Sequence, residues 1–154
     1  MATGLSDASR AGACWIGCSA ALACAGPRYR RAGVDGLAAW GLAEMAAHAI
    51  KRTTHRKRPG LGVRRGPSPS SSSMPSAHTA AGVAYAVAAG AAAPAIAVPV
   101  GVLAGAVSWS RLSTGRHFPT DVVAAIGLGL LIGGSVAVMR RRKKSEPSRE
   151  RSPA

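Results

Sequence analysis

The sequence predicts an all-α fold: an integral membrane helical bundle of about five transmembrane helices. Three observations carry that expectation. Hydrophobic residues make up 47% of the chain but aromatic residues only 4%, too few for an ordinary soluble core. The net charge of +14 is segregated into basic clusters at 28–31, 51–65 and 140–151, with long runs of Ala, Gly, Val and Leu between them. Five apolar segments recur at a length suited to crossing a bilayer, each about 24–30 Å as a helix. At 154 residues the chain can hold one domain with a core, and two would be crowded.

The segments are expected at roughly 11–26, 34–50, 77–93, 94–110 and 120–139, within three parts. These are an N-terminal helix and basic loop (1–33), a membrane-embedded domain (34–139) and a basic disordered tail (140–154). The first segment could be a signal peptide, because Arg10 precedes it and "ACAG" resembles a cleavage site. Arg28, Arg30 and Arg31 instead favour a retained helix held on the cytoplasmic side. Cys14, Cys18 and Cys24 lack metal-ligand spacing and read as packing residues. In the second segment Asp35, Glu44 and His48 should face protein or water. Glu44 and His48, four residues apart, suit a helix-face pair. Residues 60–75 are rich in Gly, Pro and Ser and read as a flexible loop. The third and fourth segments, with "AGVAYAVAAGAAA" and "GVLAGAV", suit close helix approach in lipid, although a soluble Ala-rich bundle is the competing architecture. Nucleic-acid binding would suit the charge, but no aromatics are interleaved with the basic residues to stack on bases. The tail is expected to lie against anionic lipid headgroups.

Up-and-down threading brings the end of segment two, the start of three, the end of four and the start of five to one face. Concentrated chemistry stands at each: "KRTTHRKRP" (51–59), "PSAH" (75–78) and "SRLSTGRHFPTD" (110–121). Lys51, Arg58 and Arg111 supply fixed positive charge suited to phosphate oxygens. Ser76 reads as a helix N-cap that leaves the amides of Ala77 and His78 directed at the same space. Pro119 suits the first turn of the fifth helix. Asp121 can then reach back to hold one ring nitrogen of His117, leaving the other as a nucleophile. His78 is placed to protonate a leaving alkoxide. A metal site at His78, His117 and Asp121 is the rival reading, weakened by the three surrounding cations. Spacing alone does not separate a phosphatase from a phosphate binder.

These residues resemble the type 2 phosphatidic acid phosphatase and haloperoxidase superfamily. Its marks are a lysine, six residues and Arg-Pro; Pro-Ser-Gly-His; and Ser-Arg, five residues, His, three residues, Asp. Lys51 with Arg58-Pro59 fits the first, Pro75-Ser76-Ala77-His78 the second with Ala for Gly, and Ser110-Arg111, His117 and Asp121 the third. The resemblance implies a phosphohistidine on His117, Asp121 as its orienting carboxylate and His78 as general acid. Lys51, Arg58, Ser76, the Ala77 position and Arg111 would bind phosphoryl oxygens, with neither cofactor nor metal required. Ala77 keeps the backbone donor unless the position needs a positive φ. Family members in membranes typically carry six helices, one more than is counted here, so the lipid-access groove or an interface between copies in a homo-oligomer can differ.

The expected activity is that of a bacterial membrane lipid phosphatase. Its substrate would be a lipid phosphate: best a polyprenyl (di)phosphate such as undecaprenyl diphosphate or decaprenylphosphoryl-phosphoribose, with phosphatidate-type lipids also in range. A vanadate-dependent haloperoxidase or a non-catalytic lipid-phosphate binder are the alternatives. Basic residues at 28–31 and 140–144 would lie in the cytoplasm and send the catalytic face outward. Ser110 and Arg116 are left without a chemical role.

Overall fold

The computed structural model of the chain describes residues 2–59 and 71–145, with side chains at the N-terminus from residue 12 onward. Among the described residues there are five α-helices: α1 (Ala2–Cys24), α2 (Pro27–Thr54), α3 (Ala77–Ala92), α4 (Ala97–Ser113) and α5 (Pro119–Ser145). A 3-10 turn, Pro94–Ile96, joins α3 to α4. Antiparallel threading puts the ends of α2 and α4 and the starts of α3 and α5 on one face.

Several boundaries differ from expectation for local reasons. The chain turns between α1 and α2 at Gly26, whose φ of 119° is open to glycine, and Pro27 occupies a helix-initiating position. The arginines of 28–31 therefore form the first turns of α2 and not a loop. At the other end α5 runs on through Arg140–Lys143 to Ser145, so the tail is helical past residue 139. Arg and Lys are good helix formers, and cations near a helix C-terminus complement its dipole. Residues 146–154 of the expected tail, and 60–70 of the expected flexible loop, lie outside the described residues. The rest of that loop, 71–75, is built into the molecule: Ser72, Ser73 and Pro75 are buried.

Helix α3 is the axis of the bundle. Ala80, Ala81, Ala84, Ala88 and Ala89 are fully or almost fully buried, surrounded by α2, α4 and α5. Its small side chains let α5 come very close. A Cβ on Gly129 would lie 2.6 Å from the Ala80 carbonyl oxygen, and one on Gly133 2.6 Å from that of Ala84. Only glycine fits at such a backbone approach, four residues apart on one helix face. Helix α1 docks through Trp15, whose ring meets Tyr85 with centroids 4.6 Å apart. The Tyr85 hydroxyl lies 2.8 Å from Ser19 Oγ, which donates to the Gly33 carbonyl at 3.2 Å, so buried polar groups are satisfied inside the apolar bundle. Glu44 and His48 form a local helix-face pair, with His48 Nδ1 2.8 Å from the Glu44 carbonyl oxygen.

The outer surface is apolar where a soluble protein would be polar. Val98, Val102 and Trp109 of α4 and Leu130, Leu131, Val138 and Met139 of α5 are at least half exposed, a collar that suits lipid tails. Among the described residues two helical stretches, Pro94–Ser113 and Pro119–Lys143, are long and apolar enough to cross a membrane. The five helices of the bundle are unequal in length and apolarity. The apolar part of α1, Gly12–Cys24, is shorter, and α3 is enclosed by protein, so its length need not match a hydrocarbon core.

Candidate active site

The face where α2, α3, α4 and α5 end is built around His117. Its backbone is set first. Helix α4 closes at Thr114, and Gly115 takes a φ of 61°, a left-handed turn that glycine adopts without strain. The amides of Arg116 and His117 then donate back to the Arg111 carbonyl at 3.1 and 3.2 Å. Two residues on, Pro119 starts α5, and the Asp121 carboxylate in its first turn accepts the Phe118 amide through Oδ2 at 2.9 Å. This is the carboxylate half of a capping box.

The imidazole of His117 is buried, and its two nitrogens meet opposite chemistry. Nδ1 lies 2.7 Å from the Ser73 carbonyl oxygen, which can only accept. Nε2 faces Arg58 Nη1 at 3.4 Å, and a guanidinium can only donate. The neutral ring is therefore protonated at Nδ1 and carries its lone pair on Nε2, toward the cationic space. Burial, then the charges of Arg58 and Lys51, push the His117 pKa down to about 4 against the pull of the Ser73 carbonyl and Asp121. The ring is a free base at neutral pH.

Asp121, the expected orienting carboxylate, lies beside the same ring nitrogen at longer range. Asp121 Oδ2 stands 3.6 Å from His117 Nδ1, beyond a hydrogen bond, and the Ser73 carbonyl takes the proton instead. Asp121 is fully buried and spends its other oxygen on Arg56, whose Nη1 donates to Oδ1 at 2.8 Å. The same nitrogen lies 2.8 Å from Thr120 Oγ1, and the guanidinium stacks over Phe118 at 4.6 Å from the ring centre. Arg56 thus ties α2's end to the start of α5.

Lys51 and Arg58 both stand against the serine stretch 71–73. Lys51 Nζ donates to the Ser72 carbonyl at 2.9 Å, and Arg58 donates to the Arg116 carbonyl at 3.1 Å and to Ser71 Oγ at 3.3 Å. Lys51 sits at the polar end of α2, where burial and the neighbouring Arg58 charge lower its pKa to about 8. Ser76 occupies the N-cap position of α3 but makes no side-chain cap; its Oγ accepts from Thr79 Oγ1 at 3.1 Å, and its amide donates to the Asp121 carbonyl at 3.2 Å. Ala77 and His78 are the first two residues of α3, so their amides belong to the turn that has no intrahelical acceptor. Ala77 is not in the left-handed region: among the described non-glycine residues that region holds His55. Its methyl is accommodated in a helical backbone. His78 is half-buried on this face. Arg111 lies in the last turn of α4, with Nε 3.1 Å from Ser110 Oγ.

Sequence reasoning missed Arg56 and Ser73. Arg56 stands in a basic run beside Arg52 and Lys57, and nothing in the spacing marks it out. Ser73 contributes a main-chain carbonyl from a low-complexity stretch, which carries no residue signature. Arg116 gains a role through its carbonyl, which holds Arg58.

The geometry is that of an all-α bundle that gathers Lys51 and Arg58 around a buried histidine. Residues 32–145 match the PAP2 superfamily, and the chain belongs to it. A curated relative, decaprenylphosphoryl-5-phosphoribose phosphatase of Mycolicibacterium smegmatis, is 41% identical over 116 residues, covering 71% of this chain and 61% of that protein. The fold is that of the transmembrane PAP2 proteins: a crystal structure described as the first transmembrane PAP2 type phosphatidylglycerolphosphate phosphatase, from Bacillus subtilis, superposes with a TM-score of 0.60 at 26% identity. It covers 76% of this chain and 62% of its own. The chain therefore spans a little over three fifths of either relative.

Proposed function

We propose that the chain is a metal-independent membrane lipid phosphatase that works through a phosphohistidine on His117. The observation that carries this reading is the fixed tautomer, with Nδ1–H held by the Ser73 carbonyl and the Nε2 lone pair turned toward Arg58. The phosphoryl group of a lipid phosphate enters between Arg58, Lys51, Arg111 and the first amides of α3, with its oxygens replacing the His117 ring as the partner of Arg58. Nε2 attacks phosphorus as the P–O bond to the lipid breaks, and His78 gives its proton to the departing oxygen. Water then attacks phosphorus, the P–N bond breaks, its electron pair returns to Nε2, and His78 takes the proton from water. Asp121, anchored by Arg56, fixes the start of α5 and adds negative charge near the ring.

The substrate class is a polyprenyl phosphate or diphosphate, with the prenyl chain in the bilayer beside the apolar collar. The 41% identity to a phosphatase named for a decaprenylphosphoryl-phosphoribose substrate supports that choice. The active site faces the outer side of the membrane, because Arg28, Arg30, Arg31 and Arg140–Lys143 gather at the opposite end of the bundle. Purified protein with chelator present is expected to release phosphate from a long-chain polyprenyl phosphate, and His117→Ala to abolish release. Release by His117→Ala at the wild-type rate would sink the mechanism. Binding of substrate without turnover by the intact protein would leave a lipid-phosphate binder in its place. A panel holding decaprenylphosphoryl-5-phosphoribose 5-phosphate, undecaprenyl diphosphate and phosphatidylglycerol phosphate orders the substrates.

A further inference from the structure

The end of the bundle opposite His117 carries a second concentration of positive charge around a cavity. Arg31, Arg140 and Arg141 line a space of about 240 Å³ at the start of α2 and the end of α5. An adjoining space of about 370 Å³ shares Arg31 and Arg140 and adds Arg30. One carboxylate belongs to both. Asp35, 4% exposed, pairs with Arg140 through Oδ1 and Nε at 2.9 Å. Asp35 can neutralise one guanidinium, which leaves three positive charges of the four in excess at the rim of a concave site.

The chemistry of the floor decides what fits. Between the arginines the cavity is walled by Ala88, Ala92 and Ala137, small side chains of α3 and α5 that leave a slot. At the same end of α5 but on other sides of the helix, Val138 and Met139 are exposed at 50% and 68%, apolar surface of the kind lipid chains cover. A free anion would use the arginines and leave the alanine wall unfilled. A phosphate attached to acyl chains satisfies both. Guanidinium groups bind phosphate oxygens in pairs, and basic pockets between transmembrane helices suit lipid headgroups.

We propose that this cavity is a second phosphate-recognising site, distinct from the candidate active site and occupied by the headgroup of an anionic phospholipid in the opposite leaflet. Asp35 preorients Arg140, and Arg31 and Arg141 close on the phosphodiester from the exposed side. The lipid joins the start of α2 to the end of α5 at the face away from the chemistry.

Native mass spectrometry of the full chain in detergent micelles, titrated with phosphatidylglycerol or phosphatidylcholine, tests this. The expected result is one phosphatidylglycerol retained per chain in preference to phosphatidylcholine. Arg31→Gln with Arg141→Gln, both exposed positions, should lower that retention about tenfold or more. Arg28→Gln with Arg142→Gln removes the same charge from the same face outside the cavity and should leave retention within about twofold. Arg58→Ala should also leave it unchanged. Equal loss in both double variants would reduce the effect to surface electrostatics and overturn the site. Loss in Arg58→Ala would place the lipid in the active site and overturn it as well. Displacement of phosphatidylglycerol by millimolar inorganic phosphate would show a free-anion site and overturn the lipid assignment.

Discussion

The protonation of His117 can be measured directly, and the structure sets its value. An ordinary imidazole titrates near 6.5; here burial, Arg58 and Lys51 bring the pKa to about 4. That difference corresponds to about 3 kcal/mol favouring the neutral ring over the charged one. At pH 5.5 an unperturbed histidine would be neutral in about a tenth of molecules, whereas His117 would be neutral in nearly all. The lone pair on Nε2 is lost only as pH falls through about 4. The perturbation is Arg58→Gln, which removes the strongest charge acting on the ring and leaves a shorter, neutral hydrogen-bonding side chain. The His117 pKa should then rise toward its ordinary value. The assay is a titration of ¹³C-histidine-labelled protein by NMR, in which the His117 signal is the one of four histidine signals missing in His117→Ala. A wild-type midpoint between pH 6 and 7, or no rise in Arg58→Gln, would refute the argument that burial and cationic neighbours hold the His117 ring unprotonated. The dependence of kcat/KM on pH supplies a second readout, because the substrate's own ionisation is common to both proteins and cancels in their ratio. Lys51, with a pKa of about 8, loses its charge as pH rises through that value, so phosphate affinity should fall on the alkaline side.

Other consequences follow from particular contacts. Arg56→Ala leaves the buried Asp121 without its ion pair and should cost about 1–3 kcal/mol, read as a lower midpoint of thermal unfolding in detergent together with a fall in kcat. Gly129→Val or Gly133→Val must push α5 off the α3 backbone and should destabilise by about 1–3 kcal/mol or more, while Gly134→Ala, with open space around it, should unfold with wild type. His78→Ala should slow turnover of a polyprenyl phosphate by about 10²–10⁴-fold, but much less with p-nitrophenyl phosphate, whose leaving group needs no proton. Equal losses on both substrates would remove His78 from the role of general acid.

What was legible in the sequence had a linear signature. Lys51 and Arg58, the Pro75–His78 run, and Arg111, His117 and Asp121 sit at spacings that survive as text, and alternate helix ends must share a face once the chain threads up and down. The apolar collar on α4 and α5 was likewise written in composition. Less legible were the helix boundaries: composition marked residues 28–31 and 140–145 as flanks, although Arg and Lys prolong a helix readily once Pro27 or α5 has nucleated it.

The residue types of the proposed phosphate cradle and the number of helical segments came from the amino-acid order alone, because hydrophobic runs and charge clusters are properties of the chain. Only the tertiary structure decided which group holds His117. The Ser73 carbonyl reaches Nδ1 across 44 residues of sequence, and Arg56 reaches Asp121 across 65. A main-chain carbonyl is present at every residue, so no pattern can select it. The packing of α3 against α5 through Gly129 and Gly133 brings the two helix starts close enough for that selection to be made.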